Sequence, residues 1–84
     1  MPTVQQLRSF VALCEHGTTT AAARATHCSV STISTHIHAL ESTMKATLIV
    51  RAKGQFTPTA QGRRVLAQAV TIIEAHEGLA QLRA

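Results

Sequence analysis

The segment from residue 30 to residue 44 combines an apolar stripe with a face of small polar side chains. Its apolar residues recur at helical spacing, which predicts a helix with these side chains turned toward a core: Ile33, Ile37, Leu40 and Met44. The opposite face carries Ser31, Thr32, Ser34, Thr35 and His38. Slim hydroxyl-bearing groups with so little charge suit a helix that enters the major groove of DNA, where they reach base edges and phosphates.

Basic residues follow this segment without an intervening acid, since none occurs between Glu41 and Glu74. They are Lys45, Arg51, Lys53, Arg63 and Arg64. A solvated helical face would mix charge signs, so this run and the formal net charge of +4 indicate a phosphate-binding patch. We expect Arg51 and Lys53 to bind phosphates or reach the minor groove. The alternative for Arg51 is a structural ion pair with Glu41.

The histidines and cysteines raise the alternative of a metal site. Their clusters are Cys14-Glu15-His16, His27-Cys28 and His36-Ile37-His38. His36 and His38 lie two residues apart on a predicted helix and therefore point in different directions, while Cys14 fits an apolar stripe. We predict no metal and no cofactor. We also predict no enzyme, because an acid pair, a phosphate loop and an activated nucleophile are all missing.

Capping signals divide the first half of the chain into three helices. Thr3 can cap the first helix, and Gly17 is placed to end it. Thr18 or Thr19 caps a short alanine-rich helix that must pass close to a neighbour. A turn at residues 27–28 leads to Ser29, which caps the third helix. A short helix, a tight turn and a polar-faced helix together indicate a helix-turn-helix.

The residue pattern in the second half of the chain predicts a β-hairpin followed by a long helix. Residues 48–50 and 56–58 are β-prone and flank a basic, glycine-containing tip, as in a wing.

Thr59 caps a last helix that extends to the C-terminus, and residues 60–84 would span roughly 37 Å. A small preceding domain cannot cover that length, so we expect Ile72, Ile73, Leu79 and Leu82 to be exposed in a monomer and to pair with a second copy. The predicted dimerisation residues are Val65, Ile72, Ile73, Leu79 and Leu82. The alternative is a helix folded back on its own core.

Each of four other positions allows two interpretations, a contact with DNA or a purely structural role. Thr19, Thr20 and Thr59 lie at helix N-termini and offer hydroxyl and N–H groups to phosphates, which is compatible with plain N-capping. Val30 either packs inward or contacts a thymine methyl group.

Composition limits the remaining possibilities. With 84 residues there is room for one small domain, and two Phe without Trp or Tyr imply an aliphatic core. So few aromatic rings count against a single-strand nucleic-acid platform. No apolar run approaches a membrane span, and we expect a cytoplasmic protein.

The ordered pattern from Ala22 to Gly62 resembles the N-terminal domain of LysR-type transcriptional regulators. The matching residues are Ala22-Ala23, Ser29, Ile33-Ser34, Ile37, Leu40-Glu41, Leu48, Arg51 and Pro58-Thr59-Ala60-Gln61-Gly62. The resemblance implies a winged helix-turn-helix, a linker helix that pairs two subunits, and a ligand-sensing domain absent from this chain. The family often has Gln, Pro and Arg at Val30, Ser31 and Thr35, so the DNA sequence that is read should differ. Lys45 stands where Gly is common.

These observations predict a mainly α fold with a small β wing. Residues 1–59 would form a winged helix-turn-helix domain, and residues 60–84 a linker and dimerisation helix. The predicted function is sequence-specific binding of double-stranded operator DNA by a homodimer, with a tetramer as an option for the full-length regulator. The rival function is non-specific architectural DNA binding.

Overall fold

The computed structural model describes residues 1–83 of the chain. These residues form four helices and a two-stranded antiparallel sheet. The elements are α1 (Val4–His16), α2 (Thr19–Thr26), α3 (Val30–Met44), β1 (Ile49–Ala52), β2 (Gln55–Pro58) and α4 (Ala60–Ala80). The predicted winged helix-turn-helix is therefore confirmed. The last helix is long, but it ends at Ala80 and does not extend to the C-terminus as predicted.

Each helix begins at a hydroxyl-bearing residue. Thr3 accepts a hydrogen bond from the backbone N–H of Gln6, whose side chain in turn accepts from the N–H of Thr3. Thr18, rather than Thr19, caps α2. Ser29 and Thr59 cap α3 and α4 as predicted. Because these caps satisfy N–H groups that lack an intrahelical partner, they fix where each helix starts.

Gly17 ends α1 with a φ of 78°, a conformation that costs glycine little. Its carbonyl oxygen accepts a hydrogen bond of 2.7 Å from the N–H of Phe56 in β2. A side chain at Gly17 would collide with the side chain of Gln55. The end of α1 is thus the point at which the wing is attached.

The core lies where α1, α2, α3 and the start of β1 meet. Its largest fully buried side chains are Phe10, Leu13, Ile33, Leu40 and Leu48. Ala22 and Ala23 are also buried, which lets α2 lie close against its neighbours as the sequence predicted. The predicted core stripe of α3 is wrong at Met44, which is 42% exposed. Met44 is the last residue of α3, where the helix has passed the edge of the core.

The first half of α4 belongs to the same core as the other helices. Ala69 is fully buried, and a side chain at Gly62 would collide with the carbonyl oxygen of Leu48. Val65 and Ile73 are partly buried against the core. The expectation that Ile73 is exposed in a monomer is therefore wrong, because Ile73 shares the inward face of α4 with Ala69. Ile72, Leu79 and Leu82 are exposed as predicted.

Among residues 1–83, no helix combines the length and the hydropathy of a membrane-spanning segment.

Candidate nucleic-acid interface

The outward face of α3 consists of hydroxyl groups and one imidazole. Ser31, Thr35 and His38 are exposed, and they lie on one side of the helix because they are three or four residues apart. Thr32 and Ser34 are half-buried at the edges of this face. The apolar side of α3, led by Ile33 and Leu40, is packed into the core. The structure thus brings the five predicted reading residues onto the surface of one helix.

Hydroxyl groups at the start of α3 bond to one another. The Oγ of Ser29 lies 2.9 Å from the Oγ1 of Thr32 and 3.1 Å from the Oγ of Ser31, and it accepts from the N–H of Thr32. Val30 is 43% exposed beside them. The alternative in which Val30 packs inward is therefore excluded, and its methyl groups are free for an apolar contact.

The threonines at the start of α2 differ in accessibility. Thr20 is exposed and Thr19 is half-buried, while the capping role belongs to Thr18. Thr59 at the start of α4 is more constrained. Its hydroxyl accepts from the N–H of Gly62 and donates to the carbonyl oxygen of Thr47 at 2.7 Å. The capping role of Thr59 is thus present, and its phosphate contact stays a prediction.

The wing is a tight hairpin whose tip carries Lys53. Ile49 pairs with Pro58 and Ala52 pairs with Gln55, so that only Lys53 and Gly54 form the turn. Both turn residues have positive φ, 54° at Lys53 and 77° at Gly54. Such two-residue turns match the twist of the strands they join. The lysine side chain is therefore presented at the furthest point of the wing.

Arg51 lies over an aromatic ring rather than beside a carboxylate. Its guanidinium carbon is 5.7 Å from the centre of the Phe56 ring across the strand pair. Glu41 is engaged elsewhere, because its Oε2 accepts hydrogen bonds from the N–H groups of Leu48 at 2.8 Å and Ile49 at 3.4 Å. The predicted alternative of an Arg51–Glu41 ion pair is therefore wrong. A cation over a ring keeps its charge available to a phosphate.

The basic run from Lys45 to Arg64 is not neutralised by neighbouring acids. All five of its residues are exposed. Within residues 1–83, the ion pairs join Arg8 to Glu77 at 3.5 Å and His16 to Glu15 at 3.8 Å. Neither pair involves the basic run. Its charge is therefore available to a polyanion, as the sequence predicted.

The histidines and cysteines do not converge. Across the described part of the chain, no three His, Cys, Asp or Glu side chains are grouped so that they could hold a metal ion. His36 contacts α1, whereas His38 is exposed on the outward face of α3. Cys14 is partly buried against the core, and this burial raises the pKa of its thiol to about 11. Its thiol is thus held in the neutral form at physiological pH.

Residues 4–63 match the family model for the bacterial regulatory helix-turn-helix protein of the lysR family. The chain belongs to the LysR family. It contains the winged helix-turn-helix by which these regulators bind DNA.

Individual members of the LysR family resemble this chain over nearly its whole length. The SDS degradation transcriptional activation protein of Pseudomonas sp. (strain ATCC 19151) is 39% identical over 79 residues, which cover 94% of this chain and 26% of that protein. A Corynebacterium glutamicum OxyR mutant has a TM-score of 0.93 at 30% identity, over 96% of this chain and 26% of its own. The chain thus spans about a quarter of the length of these regulators.

One of the similar solved structures is a DNA-binding domain of about the same length as this chain, in complex with DNA. The CbnR DNA-binding domain has a TM-score of 0.86 and 30% identity, and the match covers 94% of this chain and 91% of that one. The two domains share one fold from end to end. The winged helix-turn-helix of this LysR-family chain is therefore of a kind that has been seen bound to DNA.

Sequence reasoning did not find three of the contacts that shape this interface. Phe56 supports Arg51, Glu41 holds the first residues of the wing, and Gly17 anchors β2. Gly17 and Glu41 could have been suspected from their positions at a helix end and beside a basic run. The pairing of Arg51 with Phe56 follows only from the strand register.

Proposed function

We propose that this LysR-family domain reads a specific operator with the outward face of α3 in the major groove. The observation that carries the proposal is the row of exposed, uncharged groups at Ser31, Thr35 and His38, with the apolar side of the helix buried. Hydroxyl groups donate and accept hydrogen bonds, and they are small enough to approach base edges closely. Ser34 and Thr32 at the edges of this face, and the methyl groups of Val30, complete the reading surface.

The wing supplies the contacts that do not depend on base sequence. Arg51 and Lys53 would bind phosphates on the flanking DNA or reach into the minor groove, and Thr19, Thr20 and Thr59 would approach the backbone at the starts of α2 and α4. The exposed basic run without acidic partners supports this assignment. We assign no catalytic role, metal or cofactor to the domain. Its site of action would be the cytoplasm, where bacterial DNA lies.

We further propose that two copies pair through the C-terminal segment of residues 60–84, most of which is α4, after the DNA-binding region of residues 1–59. An apolar groove of about 290 Å³ lies along α4 between Met44, Leu40, Val65 and Ile72. Leu79 and Leu82 continue this apolar surface toward the end of the chain. A second α4 laid along it would bury these side chains and place two recognition helices on a two-fold symmetric operator. A tetramer is the further option for the longer regulator.

Sequence selection separates specific reading from architectural binding. Random duplexes retained by the 84-residue chain should converge on one motif with two related halves. Competition between that motif and a scrambled duplex at several salt concentrations should then favour the motif by roughly 10³-fold or more, as for specific DNA-binding proteins in general. A pool that stays random, with equal competition by both duplexes, would favour the architectural function.

A further inference from the structure

Ser9 is the exception in an otherwise apolar core. It is 2% exposed, and it is the one buried polar side chain found within residues 1–83. It lies on α1 directly before Phe10 and two residues after Leu7, both of which are buried. A buried hydroxyl group is tolerated only where it forms a hydrogen bond, so its partner must be reliably present.

That partner comes from the recognition helix. The Oγ of Ser9 lies 2.6 Å from the Nδ1 of His36, which is half-buried on α3. The bond persists whichever atom carries the hydrogen, because a hydroxyl both donates and accepts. In the described part of the chain, it is the one side-chain hydrogen bond between α3 and another helix. The other α3 side chains that share the core with α1 are apolar, namely Ile33, Ile37 and Leu40.

The difference between these two kinds of contact matters for reading bases. Apolar packing is non-directional, so Ile33, Ile37 and Leu40 restrict the rotation of α3 through their shape and not through preferred bond angles. A hydrogen bond at 2.6 Å is directional and restricts such rotation. His36 directly follows Thr35 on the helix, so a rotation that breaks the bond also moves the reading face. Base-edge hydrogen bonds weaken when their distances and angles depart from the preferred geometry.

We propose that Ser9 and His36 are positioning residues that fix the rotation of α3 for base reading. The proposal rests on the proposed function of the outward face of α3. His36 acts through its Nδ1 and contributes no contact of its own with DNA, because it lies on the side of α3 that faces α1.

Two substitutions of His36 distinguish its ring nitrogens. In the His36→Asn variant a side-chain amide atom lies near the place of Nδ1, so the bond to Ser9 can form. In His36→Gln the amide lies nearer the place of Nε2, and the bond is lost. Ser9→Ala removes the same bond by a change on α1 and leaves every residue of α3 as it is. Ser9→Ala combined with His36→Gln should be no worse than either change alone, because one interaction is removed.

The test measures binding to the selected operator and to a scrambled duplex, with thermal unfolding recorded for each variant. Ser9→Ala and His36→Gln should lower the operator preference by about three- to ten-fold, the worth of one hydrogen bond, while binding to the scrambled duplex stays unchanged. His36→Asn should keep the wild-type preference. An unchanged preference in the folded Ser9→Ala variant would overturn the proposal, and so would rescue by Gln instead of Asn. If the wild-type chain itself selects no motif, the proposed function fails, and this inference with it.

Discussion

At the level of single residues, the outward face of α3 is defined by small side chains. Ser31, Thr35 and His38 are exposed, whereas Val30 adds an apolar group at the helix start. Residues 30–44 contain no Arg or Lys, the commonest base-reading side chains, so this face would contact bases through its hydroxyl groups and imidazole. Exposed arginines and lysines lie instead on the wing and at the start of α4. The proposed function therefore assigns specificity and affinity to different residues.

We expect Ser34→Ala and Thr35→Ala to weaken binding to the operator more than binding to random DNA. Each lost base contact should cost on the order of 1–3 kcal/mol. Both duplexes are measured in parallel at one salt concentration, with Thr71→Ala as the matched control, because Thr71 is an exposed threonine on α4 and outside the outward face of α3. Equal losses on both duplexes would mean that Ser34 and Thr35 contact only the DNA backbone.

Arg51→Ala and Lys53→Ala should lower affinity for every DNA sequence to a similar degree. Each removes one phosphate contact, so the slope of log K against log salt should decrease in magnitude by about one. The affinity is measured across a salt series for each variant. Arg24→Ala is the control, since Arg24 is an exposed arginine in the last turn of α2 and outside the basic run. Unchanged slopes in both wing variants would show that Arg51 and Lys53 do not contact DNA phosphates.

Cys14 should make the folded domain less stable at alkaline pH. Burial raises the pKa of its thiol from 9.0 to about 11, so between these values the unfolded chain releases a proton that the folded chain keeps. The free energy of unfolding therefore falls as pH rises from about 9 to about 11, and below that range the Cys14 thiol adds nothing to its dependence on pH. Urea unfolding of wild type and Cys14→Ala at several pH values isolates this contribution. Curves that stay parallel up to pH 11 would contradict it.

At the level of elements, the wing is attached to the helices by backbone groups. Glu41 near the end of α3 accepts from two N–H groups at the start of the wing, and Gly17 at the end of α1 accepts from Phe56 in β2. Both strands of the hairpin are therefore tied to a helix. A two-stranded hairpin is marginally stable on its own, so these ties hold the basic tip in place.

Glu41→Ala should destabilise the fold far more than Arg51→Ala. It leaves the N–H groups of Leu48 and Ile49, both buried residues, without their acceptor, at a cost of about 1–3 kcal/mol. Arg51→Ala removes only an exposed cation–π contact, worth about 0.5–1 kcal/mol. Denaturant unfolding of both single variants and the double variant gives the comparison, with additive effects expected because the side chains do not pair. A strong coupling between the two changes would contradict this expectation and would indicate an ion pair between Arg51 and Glu41.

At the level of the whole molecule, α4 has two parts with different surroundings. Its first half packs on the core through Gly62, Val65 and Ala69, while its second half contacts α1 only along one side, where Glu77 pairs with Arg8. The domain is accordingly elongated, with extents of 46 × 25 × 18 Å. Leu79 is 68% exposed and Ile72 is 43% exposed. Such a row of apolar side chains is costly in water and favours a partner.

Ile72→Glu together with Leu79→Glu should convert the predicted dimer into a folded monomer. Burial of each side chain would contribute roughly 1.5–3 kcal/mol to pairing, whereas neither is needed for the core. Sedimentation reports the oligomeric state and circular dichroism the fold. Ala67→Glu with Val70→Glu is the control, because it adds the same charge on another face of α4. The proposed dimer would be wrong if wild type is monomeric at high micromolar concentration, or if the double variant still pairs.

The sequence by itself determined the features that depend on neighbouring residues. Helix caps at Thr3, Ser29 and Thr59 act within three residues, and the stripe of Ile33 and Leu40 follows helical periodicity. The hairpin also follows from local turn and strand signals. For this reason the element order, and the outward face of α3, could be predicted before any contact between elements was known.

Tertiary structure decided which partner each polar group takes and where the core stops. The carboxylate of Glu41 could pair with Arg51 or accept from the backbone, and only the approach of β1 to α3 settles this in favour of the backbone. Helical periodicity placed Met44 in the core and the length of the last helix placed Ile73 outside it, although the core ends before Met44 and extends to Ile73. The bond between Ser9 and His36 joins residues 27 positions apart. Such choices depend on distances between elements, which a local pattern does not contain.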